Sequence, residues 1–387
     1  MLHMKHSWIN KNILLLSFSA FFADFGYQAV LILFPIYIVF KLHYPIYIYG
    51  IITALSFGIG SLFSYFGGRL GDKFNKKYIL IIGNAFIPLM SLSVISGNIW
   101  IISILYIIAW WARYFRTPAR RTLVSESSTD KYRSKVFGFL HALDILGGFF
   151  AISFSLLFLF LGMSIRDIIL ISIVPLLVSS LLLLFIDSRN KVVDDLIKNK
   201  ENININKIIL ISLFIATLFY GFSSFNLGFP ILTMIYSGNT YILAILAYGI
   251  YLLVSAFSGY ILGSINISPM KAIWSLGYLT SALGALFIGL IYLFNFNFIF
   301  YYIAIIILGI GMGAIETYEP TLVSLIPSDK KSTNMGYLSM FRSIGLFISN
   351  LVIGFLFVLN QSDAYFYAFI SALIASLIIF RVSKKYI

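Results

Sequence analysis

Thr122-Leu123-Val124-Ser125, followed by Asp130-Lys131, returns 199 residues later as Thr321-Leu322-Val323-Ser324, followed by Asp329-Lys330. Other matches keep the same order. Tyr49-Gly50-Ile51 returns as Tyr248-Gly249-Ile250, and Ser56 and Gly60 return as Ser255 and Gly259. Nearer the start of each half the offset is about 195, where Phe25-Gly26 and Phe34-Pro35-Ile36 match Tyr220-Gly221 and Phe229-Pro230-Ile231. One such match carries no weight. A shared order at a nearly constant offset marks a duplicated unit.

The duplicated unit is almost all apolar. Of 387 residues, 60% are hydrophobic and 11% are charged, against about 25% charged in a soluble domain. Many apolar runs reach the ~20 residues that a helix needs to cross a bilayer. Only helices or closed barrels satisfy their backbone groups in lipid, and unbroken apolar runs choose helices over alternating strands. The expected fold is therefore an all-α membrane protein with twelve transmembrane helices in two pseudo-symmetric six-helix bundles. The spans lie near 12–40, 46–67, 78–97, 99–118, 136–161 and 166–186, then 208–236, 240–263, 272–294, 298–320, 336–359 and 364–382. Residues 1–187 form the first bundle, 188–207 a linker and 208–387 the second bundle. The stretch from Asp187 to Lys207 is the one long polar segment, read as a solvated linker with a short amphipathic helix on the membrane surface. External loops such as Lys41–Pro45 and Ser237–Asn239 are too short for a receptor domain.

A net charge of +13 would point to nucleic acid in a soluble protein, but here its placement points to the membrane. Of 27 Lys and Arg, only Lys41 and Arg166 fall on one side of this topology. That is the positive-inside bias. It makes the basic side cytoplasmic, with both termini there and the cell membrane as the location. Nucleic acid is not an expected partner; the lipid bilayer is. Without cysteine there is no disulfide, thiolate metal site or Cys nucleophile. Lys11 precedes an apolar run that continues past Asp24 to about Phe40, which reads as a retained first helix rather than a cleaved leader.

One loop resembles a known family. Between spans two and three the chain reads Gly67-Gly68-Arg69-Leu70-Gly71-Asp72-Lys73-Phe74-Asn75-Lys76-Lys77. This resembles the signature loop of the major facilitator superfamily, fitted by Gly68, Leu70, Gly71, Asp72, Lys73, Lys76 and Lys77. Asn75 stands where glycine is usual, and Asn also tolerates left-handed backbone. The resemblance implies that Asp72 meets the start of span eleven and helps latch the cytoplasmic ends. The matching loop in the second half, Ser264 to Lys271, lacks the motif, although Lys271 and Gly277 mirror Lys77 and Gly83. Arg116-Thr117-Pro118-Ala119-Arg120 and Lys135-Val136-Phe137-Gly138, with His141 and Asp144, resemble a drug-export-like subgroup of that family. The antiporter signature of span five is incomplete, because Gly147-Gly148 remain but the proline is absent.

Ionisable groups within the spans are the candidate site residues, since a charge at the bilayer centre costs ~2.5–3.5 kcal/mol on insertion scales. Asp24 lies mid-span, and its counterpart in the repeat is Phe219. Either it couples protons or a cation to transport, or it is a structural carboxylate bonded to Gln28, Asn84 or a nearby hydroxyl. Tyr27, Tyr220, Phe225 and Asn226 complete the candidate substrate pocket. Asp144 falls on Arg342 at an offset of 198. Across a two-fold axis these opposite charges are expected to form an inner salt bridge, unless each pairs within its own half. Arg113, Arg116 and Arg120 on span four correspond to the end of span ten, where Glu316 and Glu319 stand, so a second Glu–Arg gate is expected. The alternative is snorkelling to the interface. Pro35 and Pro230 should bend spans one and seven. Small residues at every fourth position, Ser56, Gly60, Ser64 and Gly68 and again Ser255, Gly259 and Gly263, allow close helix contact. The abundant aromatics are expected mostly at lipid or interface.

Two like bundles with a site between them is how many secondary transporters are built. The expected function is proton-coupled export of hydrophobic or cationic compounds by alternating access. Uptake of a sugar or other metabolite is the alternative, and a transport-inactive sensor or scaffold is an alternative of another class. No G-x-x-x-x-G-K-[ST], H-E-x-x-H or G-x-S-x-G occurs, so neither ATP, a cofactor, a metal nor an enzymatic reaction is expected. The partners are a small-molecule substrate and protons, and the chain is expected to work as a monomer.

Overall fold

The computed structural model describes residues 8–187, 203–224, 234 and 241–386. Among these, regular structure is helical and no strand occurs. Twelve helices are long and apolar enough to cross a membrane. They are α1 (Lys11–Val39), α2 (Ile51–Lys73), α3 (Lys76–Ile95), α4 (Ile99–Glu126), α5 (Asp130–Phe160) and α6 (Ile165–Leu184), then α7 (Ile205–Ser223), α8 (Leu246–Gly263), α9 (Pro269–Leu293), α10 (Phe298–Leu325), α11 (Lys331–Leu356) and α12 (Gln361–Lys385). The protein is a multi-pass membrane protein. Most of the expected linker, the bend at Pro230, and Phe225 and Asn226 lie outside the described residues.

Several helices outrun their apolar cores. The apolar run of the fourth span ends near residue 118, yet α4 continues to Glu126. The bilayer limits apolar length, whereas i→i−4 hydrogen bonds propagate a helix through charged residues once it exists. The duplication reaches the helix starts. The Asn98 side chain accepts from Trp100 N at 2.9 Å to begin α4, and Asn297, 199 residues on, accepts from Ile299 N at 3.1 Å to begin α10. Pro35 sits inside α1 and is followed at once by a π-helical turn, Tyr37–Lys41. A ring without an N–H breaks the regular ladder there.

The chain divides into two compact units. Unit one holds the described residues up to Val136, those from Leu143 to 187, and Ser328–Met340. Unit two holds Phe137–Ala142, the described residues from 203 to Pro327, and those from Phe341 onward. Thus each unit borrows a short stretch of helix from the other half of the sequence. Small residues make both stretches fit. In unit one, a Cβ on Gly336 of α11 would stand 2.6 Å from Ser64 O of α2, and one on Gly68 would stand 2.5 Å from Ser332 O. In unit two, a Cβ on Gly138 of α5 would collide with Gly259 O of α8. Gly336 and Gly138 correspond in the repeat, as do Ser64 and Gly263. The four-residue stripes therefore pack backbone on backbone, the main gain open to helices in lipid, where burial of apolar surface drives little.

Large apolar side chains cover the outside, among them Trp100, Phe160 and Leu351. Some aromatics fill the interior. Phe34, Tyr106, Tyr278, Tyr318 and Tyr365 are fully buried. Phe34 of α1 stacks on Tyr106 of α4 with ring centres 3.9 Å apart. Rings have the volume to fill the wider gaps between helices, which small residues leave open.

Within unit one, α1 and α5 also touch at Gly147, whose added Cβ would meet the Phe21 carbonyl and stand 3.0 Å from Phe25 N. Gly147→Val should therefore destabilise the fold by about 1–3 kcal/mol, as overpacking does. Denaturant unfolding in detergent measures this, and a variant as stable as the parent would show that the contact is slack.

Candidate functional site

In unit one, Asp24 on α1, Arg113, Arg116 and Arg120 on α4, and Asp144 on α5 lie within electrostatic reach of one another. Asp24 is 1% exposed. It feels the charges of Asp144, Arg113, Arg120 and Arg116. Among the described residues its Oδ1 has no hydrogen-bond partner, and neither has Oε1 of Gln28 one turn on. Both face the bare backbone of Gly148, where a Cβ would stand 3.3 Å from Gln28 Cγ and 3.5 Å from Asp24 Oδ2. Arg113 donates from Nη2 to the Tyr27 hydroxyl at 2.7 Å and lies over the rings of Tyr27 and Trp110, 4.5 and 5.1 Å from their centres. Such rings hold a guanidinium where water does not. Arg120 Nη1 lies 3.5 Å from Asp144 Oδ1, an ion pair without hydrogen-bond alignment. Arg116 is 1% exposed, and its Nε and Nη1 have no partner among the described residues.

Unit two carries a different cluster at the corresponding place. Arg342 on α11 grips Glu316 and Glu319 of α10. The Glu319 side chain is wholly buried and also accepts from the Tyr278 hydroxyl at 2.5 Å. Tyr278 spends its one proton on that bond, so the Thr217 hydroxyl, 3.2 Å away, donates to it. Tyr220 stacks on Tyr278, ring centres 5.1 Å apart, and the Arg342 guanidinium lies 5.9 Å from the Tyr220 ring.

Asp144 pairs with Arg120 within unit one, and Arg342 with Glu316 and Glu319 within unit two, which is the alternative of each charge pairing within its own half. The reason is local: consecutive spans four and five, and ten and eleven, place each cation beside an acid one helix away. Asn84 is not the partner of Asp24. Its amide nitrogen donates to Ser179 and Ser180 of α6 at 3.2 and 2.9 Å. His141 meets Ser255 of α8 at 2.9 Å rather than Asp144. Thr217 falls opposite the apolar Phe22, and Tyr278 opposite Asn84 at the offset that pairs Gly277 with Gly83, so neither counterpart signals a bond to a carboxylate. A buried glutamate such as Glu319 was the only signal that hydroxyl donors must surround it.

The signature loop is a set of helix caps. Asp72 accepts from Ser332 N at 2.9 Å, Thr333 N at 2.7 Å and the Thr333 hydroxyl at 2.6 Å, all in the first turn of α11. A carboxylate there answers orphan N–H groups and the positive end of the helix dipole. Gly68 and Gly71 both lie against Ser332, which leaves no room for a side chain. Lys77 donates to the carbonyls of Leu184 and Ile186 at the end of α6, at 2.8 and 2.6 Å. Lys76 pairs with Glu126 at 3.2 Å. Asn75 is not left-handed as its glycine-like position implied. Its φ is −64°, and its side chain accepts from Lys77 N at 3.0 Å to cap α3. Leu70 and Lys73 lie within the last turn of α2 beside these groups.

Twelve spanning helices in duplicated sets, with buried ion pairs on the spans, define a polytopic membrane transporter. Residues 16–350 match the model of the Major Facilitator Superfamily, and the chain belongs to that family of transporters. Solved structures share the fold at low identity. The proton:xylose symporter XylE matches with a TM-score of 0.76 at 12% identity, over 96% of this chain and 95% of that one. The E. coli fucose:proton symporter FucP matches at 0.72 and 14% identity, over 96% and 98%. The human organic anion transporter MFSD10 matches at 0.71 and 10%, over 95% and 99%. Among curated proteins none matches this sequence.

Two outcomes follow from this geometry. Asp72→Ala removes three accepted bonds from the start of α11, a capping loss of ~1–2 kcal/mol. Hydrogen exchange at the Ser332 and Thr333 amides should quicken about tenfold, and unchanged exchange would deny Asp72 its capping role. Arg342→Ala leaves Glu316 and Glu319 without this guanidinium, which should cost about 3–5 kcal/mol in denaturant unfolding. A loss below about 1 kcal/mol would show that the carboxylates are neutral or hydrated.

Proposed function

We propose that the chain is a proton-coupled symporter that brings a small solute into the cell by alternating access, with Asp24 carrying the proton. The setting of Asp24 is the observation that supports this most. It is a buried carboxyl in a spanning helix, with an oxygen unpartnered among the described residues, next to three arginines on α4 and a second acid on α5. Loss or gain of one proton there changes the charge of the cluster by a full unit, and in a poorly screened interior that changes what the arginines hold. The second-half counterpart, Phe219, cannot do this. The fold likeness to two proton symporters fits the same reading. The positive-inside bias places the termini in the cytoplasm, and the basic loop with Asp72 on that side. Cycling then exchanges the partners of Asp72, Arg120–Asp144 and Arg342–Glu316–Glu319.

Export of hydrophobic or cationic compounds, expected from the drug-export-like motifs, finds no support in these likenesses. The charge of unit one also works against it, because three guanidiniums repel a cation that enters beside Asp24. The incomplete antiporter signature of α5 points the same way.

In proteoliposomes with an imposed inward proton gradient, the parent should accumulate a labelled solute from a panel of fucose, xylose and small carboxylates. Asp24→Asn should abolish gradient-driven accumulation and leave equilibrium exchange of the same solute. Asp24→Asn that accumulates as the parent does would sink the proposal.

A further inference from the structure

We infer that the buried cluster of unit one is a binding site for a small monocarboxylate anion, held by Arg116 and carried together with the proton of Asp24. This rests on the reading of Asp24 as the proton carrier and names the substrate class of that site.

The argument begins with charge. Arg113, Arg116 and Arg120 bring three positive charges, and Asp24 and Asp144 bring two negative ones. Among the described residues, the carboxylates that act on Arg116 are Asp144 and Asp24, and the cations that act on it are Arg120 and Arg113. One positive charge is therefore uncompensated even when both acids are ionised. An uncompensated charge buried this deeply is costly. Water answers the N–H groups but not the charge.

Hydrogen bonding singles out the same residue. Arg113 is answered by Tyr27 and two aromatic faces, and Arg120 by Asp144. Arg116 alone of the three has neither an ion pair at contact distance nor a hydrogen bond among the described residues, and it is 1% exposed. A guanidinium offers a planar fork of donors that suits a carboxylate. Nearby, Asp24 Oδ1 and Gln28 Oε1 are acceptors without donors. Arg116 thus offers donors that acceptor oxygens would answer, and Asp24 an acceptor that a proton would answer. A monocarboxylate brings the first and a proton the second.

Other ligands fit less well. A sugar brings hydroxyls but leaves the guanidinium without a counter-ion. A cation adds to the excess. A dianion overcompensates it while Asp24 is ionised. Gly148 presents bare backbone to Asp24 and Gln28, where a Cβ would stand 3.3 Å from Gln28 Cγ and 3.5 Å from Asp24 Oδ2, so α5 packs closely on this side of the cluster.

The pairing of proton and anion follows from the same charges. The groups facing Asp24 are Arg113, Arg116 and Arg120 from α4, Asp144 from α5 and Gln28 from its own helix. Arg120 holds Asp144 as an ion pair, whereas Asp24 Oδ1 has no bonded partner among the described residues, so Asp24 is the acid placed to take the proton. Protonating it removes a negative charge beside the bound anion, so each ligand favours the other, and reciprocally. Anion affinity should rise as pH falls, by about tenfold per pH unit above the point where Asp24 gains its proton.

The test is calorimetry on the purified full-length protein in detergent, between pH 5 and 8, with acetate, L-lactate, pyruvate and benzoate, and with fucose and xylose as neutral controls. The parent should bind at least one carboxylate in preference to both sugars, more tightly at lower pH. Arg116→Gln should weaken that binding at least tenfold, and Asp24→Asn should bind the anion with no pH dependence. If Arg116→Gln fails to fold, Arg116→Lys, which keeps the charge but loses the fork, should bind more weakly than the parent with the pH slope retained. Absence of carboxylate binding to the parent, equal binding by Arg116→Gln, or a flat pH profile in the parent would each overturn the inference. A sugar accumulated by the proton gradient and lost in Asp24→Asn would leave the symport reading standing and remove the anion. A carboxylate bound through Arg116 but accumulated normally by Asp24→Asn would remove Asp24 instead.

Discussion

A charge held inside a bilayer has to find its counter-charge within reach of its own side chain. Insertion scales put the cost of a central Asp, Lys or Arg at ~2.5–3.5 kcal/mol, and an ion left alone in the interior costs about as much again. Nearly every ionisable group on the spans of this protein can be understood from that rule. Arg120 takes Asp144, Arg342 takes Glu316 and Glu319, and Arg113 takes a phenol and two ring faces. At the basic ends the same rule uses helix termini, with Asp72 on the first N–H groups of α11 and Lys77 on the last carbonyls of α6.

The duplication keeps this rule while reversing its sign. Arg120 corresponds to Glu319, and Asp144 to Arg342. Each half therefore joins its fourth and fifth helices by an ion pair, cation on the fourth helix in one half and anion on the fourth helix in the other. An ion pair survives such an inversion because attraction depends on the product of the charges. The surroundings do not survive it. Phe219 replaces Asp24, and Tyr278 stands where the first half has Asn84, so one half is left rich in arginine and the other rich in carboxylate. A symmetric scaffold thereby carries two chemically distinct interiors.

Much of this was legible before any coordinates. The twelve spans and the close-packing stripes can be read from apolar runs and spacing, and the meeting of Asp72 with α11 was implied by the resemblance of its loop. The pairings were not. Asp144 and Arg342 match in the repeat, but equivalence under a duplication says that two residues occupy like places, not that they touch. Asn84 and Gln28 looked equally suited to Asp24, and the structure gives Asn84 to Ser179 and Ser180 instead. Asn75 looked like a substitute for a left-handed glycine and proved to be an ordinary helix cap.

The sequence by itself determined the helices and their number, because in lipid each backbone group must be satisfied by a near neighbour in the chain. Those are local demands, and local sequence answers them. Only the tertiary structure decided which side chain neutralises which. That choice depends on how neighbouring helices are rotated and how closely glycines let them approach. It also decided what was left over: a buried Arg116 without a bonded partner among the described residues and an Asp24 with an oxygen to spare. A surplus of charge is a property of the whole cluster, and it exists only once three helices have brought its members together.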